Sequence, residues 1–396
     1  MKNKINLEVN MYKKNLVFIA ACLGMLLFGV VLISLGSILP ALTEKFAMDQ
    51  LTAGSLVSIL PIGILSGSVI FGPIVDRYGY KSLLIICALF VFLGLEGIAF
   101  ASQFYMLQIS IFLIGFGGGV INGGTNALVA DISSEGKGAN LSLLGVFFGI
   151  GALGMPALLG ILSQSYGYST IISAVGIFVL LPVIYFMTIK FPVSKQPQGL
   201  PIRKSFGLFK DSTLILMGLI LFFESGVEGI VNNWSTTHLQ QEVKVTPENA
   251  LFALSYLMLG LTITRLVLGF LLKKIQSYKV LYMCIVTAIA GSLCLMFASS
   301  LMVAILGLVL LGIGFAAGFP VVLGYVGDIY ANLSGTAFSI VIVIALTGNT
   351  ILNYLVGAVS QSYGIKQFPV ILLVSLVLMA LLLSVVIKRI SSRVKI

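Results

Sequence analysis

Gly72-Pro73-Ile74-Val75-Asp76-Arg77-Tyr78-Gly79-Tyr80-Lys81-Ser82-Leu83-Leu84 sets Asp76, Arg77 and Lys81 between two long apolar runs. A connection this short between two membrane helices reverses the chain within a few residues. Gly72 and Gly79 permit that by close packing and by positive φ angles. The charges are expected at the water boundary. There Asp76 and Arg77 can tie one helix bundle to another on one side of the membrane, through a contact that breaks when the protein changes its facing. A plainer role is also open, with Arg77 and Lys81 as ordinary anchors at the membrane surface.

Outward from this turn the chain is 59% hydrophobic and 9% charged over 396 residues, which excludes a soluble domain. Apolar runs of about 20 residues, the length that crosses a bilayer, fall at roughly 15–40, 51–75, 82–101, 105–130, 138–163 and 168–190. Six more fall at roughly 211–237, 250–272, 279–299, 301–327, 335–360 and 367–388. The expected fold is therefore all-α and integral to the membrane, with twelve transmembrane helices. The first run is too long for a cleaved signal and lacks a small-residue cleavage site. The net charge of +10 is not a nucleic-acid footprint. All of the 23 Lys and Arg except Lys45, Lys244, Arg265 and Lys366 fall at the amino terminus, in even-to-odd connections or in the carboxyl tail. The positive-inside rule then puts both termini in the cytoplasm.

The chain also repeats itself. Ser163-Gln164-Ser165-Tyr166-Gly167 recurs as Ser360-Gln361-Ser362-Tyr363-Gly364, an offset of 360 − 163 = 197 residues. The same offset carries Gly115 and Gly117 onto Gly312 and Gly314, Asp131-Ile132 onto Asp328-Ile329, and Gly72 onto Gly269. This reads as two pseudo-symmetric six-helix bundles, 1–190 and 211–396, joined by a polar, proline-bearing cytoplasmic linker at 191–210.

The G-x-x-x-D-R-x-G-x-K spacing of 72–81 is similar to the loop between the second and third helices of major facilitator superfamily transporters. That resemblance, together with the duplicated six-span halves, implies the major facilitator fold. It also implies alternating access around a site near the membrane midplane, with Gly72, Asp76, Arg77, Gly79 and Lys81 as gating residues.

Ionisable groups inside a span are costly and mark functional candidates. Glu96, Glu224, Glu228 and Arg265 are the four such groups. Glu224 and Glu228 stand one helical turn apart and share a face with Asn232. Two carboxylates so close in low dielectric do not both ionise cheaply, so the pair is a candidate for carrying a coupling cation. Arg265 is a candidate ion-pair partner, with snorkelling towards the cytoplasm as the alternative. Glu96 reads as structural. His238, the only histidine, reads as solvated near the outer end of span seven, and Cys22, Cys87, Cys284 and Cys294 read as small apolar residues in no metal-ligand or redox spacing.

Gly226, Glu228 and Trp234 in span seven resemble the pattern of the fucose/galactose:proton symporter branch and its sodium-coupled glucose relatives. The run from Gly115 to Asn126 resembles the same branch's G-x-G-x-G-x-I-D-x-x-x-N. Two departures shift coupling towards Glu228 or Glu224: Asn122 stands where relatives often carry a carboxylate, and residues 16–39 of span one hold no acid. The amides of Asn122 and Asn126 share a face and suit sugar hydroxyls, since each offers donor and acceptor. Trp234 suits either a sugar ring's apolar face or the interfacial aromatic belt.

The resulting expectation is a monomeric, cation-coupled importer of a monosaccharide or similar polyhydroxylated solute in a bacterial cytoplasmic (inner) membrane. Its partners are that small molecule and the lipid bilayer, not nucleic acid. The coupling ion is H+ or Na+, and no other cofactor and no metal is expected. Substrate-binding residues are Asn122, Asn126, Glu228, Asn232 and Trp234. No phosphate-binding loop, paired metal-ligand spacing or nucleophile with a base supports an enzyme. A proton-coupled drug or metabolite exporter is the nearest alternative, and a transporter-like nutrient sensor a more distant one.

Overall fold

The computed structural model describes residues 12–48, 50–162, 165–195 and 207–391. Ser163 and Gln164 of the repeat, and positions 196–206 of the expected linker, lie outside the described residues. Twelve helical segments among the described residues are long and apolar enough to cross a membrane, and no strand occurs among them. The first six are α1 (Lys14–Lys45), α2 (Gln50–Tyr78), α3 (Tyr80–Phe100), α4 (Phe104–Ile132), α5 (Lys137–Leu162) and α6 (Tyr168–Thr188). The other six segments comprise seven helices, α7 (Ser212–Gln241), α8 (Pro247–Lys274), α9 (Ser277–Met296), α10 (Leu301–Gly314) and α11 (Gly318–Ile329), which together make one span, α12 (Ser334–Tyr363) and α13 (Phe368–Ser391).

Local chemistry sets several of these boundaries. Gly79 alone separates α2 from α3, at φ +78°, where a side chain would be strained. Asp211 caps α7 by accepting from the amides of Thr213 (2.8 Å) and Leu214 (3.4 Å). Thr246 caps α8, with Pro247 in the first turn where its missing N–H costs nothing.

The chain forms two compact units. One comprises residues 1–132, 147–205 and 332–339, and the other 133–146, 206–331 and 340–396. In the first, α4 packs on α1, α2 and α3, and α3 on α6. In the second, α10 packs on α8 and α9, and α13 on α7 and α9.

The repeat is legible in the packing of each unit. A methyl added at Gly115 would lie 2.6 Å from the Leu60 carbonyl oxygen, and one added at Gly312 would lie 2.1 Å from the Leu257 carbonyl oxygen. Both glycines and both partners are related by the same 197-residue offset. Backbones that approach this closely leave room for hydrogen only, which is how helices associate where lipid replaces the hydrophobic drive.

One element departs from expectation. The tenth span is not a continuous helix: α10 ends at Gly314 and α11 begins at Gly318, with a turn at 315–317. Pro320 has no N–H to offer the Ala316 carbonyl. Prolines 61 and 73 are absorbed inside α2, so Pro320 alone does not explain the break. Gly314 and Gly318 flank the turn and weaken the helix on both sides of it.

Candidate functional site

The loop at 72–81 is built differently from a surface turn. Asp76 is 1% exposed, its carboxylate met by protein groups and not by solvent. Its Oδ1 accepts from the Gly335 amide (3.1 Å), and its Oδ2 from the Thr336 amide (2.9 Å) and the Thr336 hydroxyl (2.7 Å). The carboxylate thus caps the N-terminus of α12, where orphan amides and the helix dipole both favour negative charge. Gly72 makes that approach possible, since a methyl there would lie 2.5 Å from the Gly335 carbonyl oxygen. Ser339 closes the contact by donating to the carbonyls of Ser68 and Val69.

The basic residues of the loop point elsewhere. The Lys81 ammonium donates to the carbonyls of Met187 (2.7 Å) and Ile189 (3.0 Å), capping the C-terminal end of α6. The Arg77 guanidinium lies 4.9 Å from the centroid of the Tyr78 ring. Two further charges, not singled out from sequence as site residues, complete the cluster. Lys195 pairs with Asp131 at 2.6 Å and donates to Ser334 at 2.6 Å, and Tyr80 donates to Asp131. The recurrence of Asp131 as Asp328 was the available signal: in the second unit Asp328 pairs with Lys137 at 2.8 Å.

On α4 the structure brings Asn122 and Asn126 together as their spacing requires. Asn126 Nδ2 donates to the Asn122 carbonyl oxygen (2.8 Å) and side-chain oxygen (3.2 Å). Among the described residues no protein acceptor meets Asn122 Nδ2, and the side chain is half-buried.

The acidic face of α7 lies in the second unit. Glu224 is 2% exposed, and its Oε1 has no hydrogen-bond partner. Glu228, one turn on, is half-buried, and no donor among the described residues meets its carboxylate. Asn232 Nδ2 donates back to the Glu228 carbonyl at 2.9 Å. Arg265 is buried against Gly145, its Nε unpartnered. Among the described residues it makes no ion pair within 4.0 Å.

Beside this face runs a ladder of amides that the sequence reading missed. Asn233 Nδ2 (2.9 Å) and Trp234 Nε1 (3.2 Å) both donate to Asn353 Oδ1. Asn353 Nδ2 donates to Asn349 Oδ1 (3.0 Å), and Asn349 Nδ2 to the Ser225 carbonyl (2.9 Å). The signal was present in the four-residue Asn349–Asn353 spacing, the same as that of Asn122 and Asn126.

Two other side chains settle into structural places. His238 is buried, not solvated, with Nε2 3.5 Å from the Leu295 carbonyl and its ring 5.5 Å from that of Phe368. Glu96 accepts from Ser173 at 2.8 Å, joining α3 to α6.

Twelve apolar spans in two internally alike units, carrying isolated polar faces, define a multi-pass membrane protein. The chain belongs to the Major Facilitator Superfamily, whose model matches residues 17–345, and so is a transporter and not an enzyme. It is similar to the glucose/mannose transporter GlcP of Bacillus subtilis (strain 168), 23% identical over 344 residues that cover 83% of this chain and 84% of GlcP. It is also similar to the multi-drug resistance efflux pump PmrA of Streptococcus pneumoniae, 28% identical over 170 residues that cover 41% of this chain and 42% of the pump. Its fold resembles that of the major facilitator transporter FucP in the outward conformation. The TM-score is 0.81 at 19% identity, over 93% of this chain and 98% of FucP.

Proposed function

We propose that this chain imports a monosaccharide or related polyhydroxylated solute across a bacterial cytoplasmic membrane, by alternating access and in company with H+ or Na+. The observation that carries the reading is the set of amides held inside apolar spans, Asn122 and Asn126 on α4 and Asn232, Asn349 and Asn353 on α7 and α12. Each offers donor and acceptor together, which suits hydroxyls and not the apolar body of a lipophilic drug. The glucose/mannose transporter named above lends the same direction. In this reading Asn122, Asn126, Glu228, Asn232 and Trp234 meet the solute. Glu224 and Glu228 serve the coupling ion, and the loop from Gly72 to Lys81 gates the cytoplasmic side.

The test is uptake by proteoliposomes of labelled glucose, mannose and galactose, with proton or sodium gradients imposed in turn. One of these sugars is expected to accumulate against its gradient. Asn126→Ala should weaken its binding about tenfold or more, the cost of leaving one buried partner unmet. Failure of every sugar to accumulate or exchange, with extrusion of a cationic dye, would replace the reading with that of an exporter.

A further inference from the structure

Glu224 presents an unresolved electrostatic problem within its own unit. A carboxylate stripped of water is stable only when hydrogen-bonded, paired or neutralised. Glu224 is 2% exposed, yet its Oε1 has no partner. The charged groups that act on it are Glu228, one turn along α7, and Arg265 on α8. The Cys284 thiol on α9 lies within range of its charge. With both acids ionised and Arg265 charged, this buried cluster carries one negative charge too many. Arg265 is not within pairing distance, so it does not satisfy the orphan oxygen directly.

What Glu224 does touch is the break in span ten. A methyl added at Gly318 would lie 2.2 Å from Glu224 Cδ and 2.4 Å from Oε1, so the carboxyl lies flat against the first residue of α11. None of the first-turn amides of α11 donates to Oε1. Just before that residue is the turn at 315–317, where Pro320 leaves the Ala316 carbonyl without its helical donor. The unwound turn that ends at Gly318, the residue against which the carboxyl packs, carries a backbone carbonyl free of its helical donor, and carboxylate and carbonyl oxygens are the hard ligands a small cation takes. Glu228, by contrast, is half-buried.

We infer that Glu224 and the break in span ten together form a site for a single monovalent cation, either a proton on Oε1 or a sodium ion held by the carboxylate and the unwound backbone. Gly318 is the residue that admits the carboxyl. This inference names Glu224 as the ion-holding member of the acidic pair and rests on the coupling reading above only for its use in transport.

The site is tested on the purified full-length protein with no sugar present. Infrared difference spectra are recorded as pH is stepped and, separately, as sodium chloride replaces choline chloride at constant ionic strength. Thermal unfolding is followed under the same changes. A proton site shows a protonated-carboxyl band that follows pH, and a sodium site shows that band displaced and the unfolding temperature raised by sodium. The component of either response that belongs to this site should vanish in Glu224→Gln while the other carboxyls still titrate, and should persist with weakened affinity in Glu228→Gln, where the ligand remains but a like charge is gone. Gly318→Ala should weaken it about tenfold or more by displacing the carboxyl, and carries the test if Glu224→Gln does not fold. A wild-type protein that responds to neither ion overturns the site, as does a wild-type-like response from Glu224→Gln or from folded Gly318→Ala. Failure of sugar uptake with the ion response intact would overturn the sugar reading alone.

Discussion

A carboxylate at 1% exposure persists only where its oxygens are met, and both oxygens of Asp76 are met by the first turn of α12. An amide in its place keeps one accepting oxygen and turns an NH2 group towards a backbone N–H. Asp76→Asn should therefore weaken the α2–α12 contact by about 1–2 kcal/mol, the worth of a charge-assisted bond to a buried group. In the proposed gating role, transport is expected to slow while solute affinity stays within about twofold, because Asp76 bonds to Gly335 and Thr336 and makes no hydrogen bond to Asn122 or Asn126. Parallel measurement of uptake rate and equilibrium binding checks this, and an unchanged rate would leave Asp76 as a static cap. The charges of this loop were legible because their spacing is local, and Gly79 was legible because only glycine takes its φ easily. The partners were not legible: Thr336 lies 260 residues along the chain from Asp76, and no local pattern announces such a contact.

At the scale of the element, periodicity and run length located every span but not the break within the tenth. Apolar runs report burial in lipid and are silent about whether the backbone inside them is wound. The amide ladder between α7 and α12 escaped for a related reason. Asn349 and Asn353 sit in a run whose hydropathy is set by its many aliphatic neighbours, and their roles depend on Asn233 and Trp234 of a different helix. Asn353→Leu tests that tie. It removes the acceptor of both Asn233 and Trp234, and should lower stability by about 1–3 kcal/mol through the donors left unpaired. Trp234 is the only tryptophan, so its fluorescence reports the change directly. A shifted emission maximum with a lowered unfolding temperature is expected, and unaltered emission would mean that the indole N–H has no dependence on Asn353.

For the whole molecule, the 197-residue offset was the deepest inference available from sequence, and the Gly115–Leu60 and Gly312–Leu257 approaches show it at the level of atoms. In the proposed division into six and six spans, an even count starts each half on the same side of the membrane, and the distribution of basic residues is what proposes the side. Reporter fusions at Lys204 and at the carboxyl end should both report the cytoplasm, and one near Glu248 the outside. An outside signal at Lys204 would reverse the map. Orientation then sets the sense of coupling, which Glu228→Gln examines. The substitution keeps the shape of the side chain but fixes it in a neutral form. In the proposed coupling, with one acid neutralised Glu224 and Arg265 would balance without an added cation, and the empty carrier would no longer need an ion in order to reorient. Uphill accumulation should fall at least tenfold while exchange of internal for external sugar persists, because exchange needs only the loaded carrier. Measuring both in the same proteoliposomes separates the possibilities. Joint loss of exchange and binding would make Glu228 a ligand of the sugar, and undiminished accumulation would leave the energy coupling to Glu224 alone.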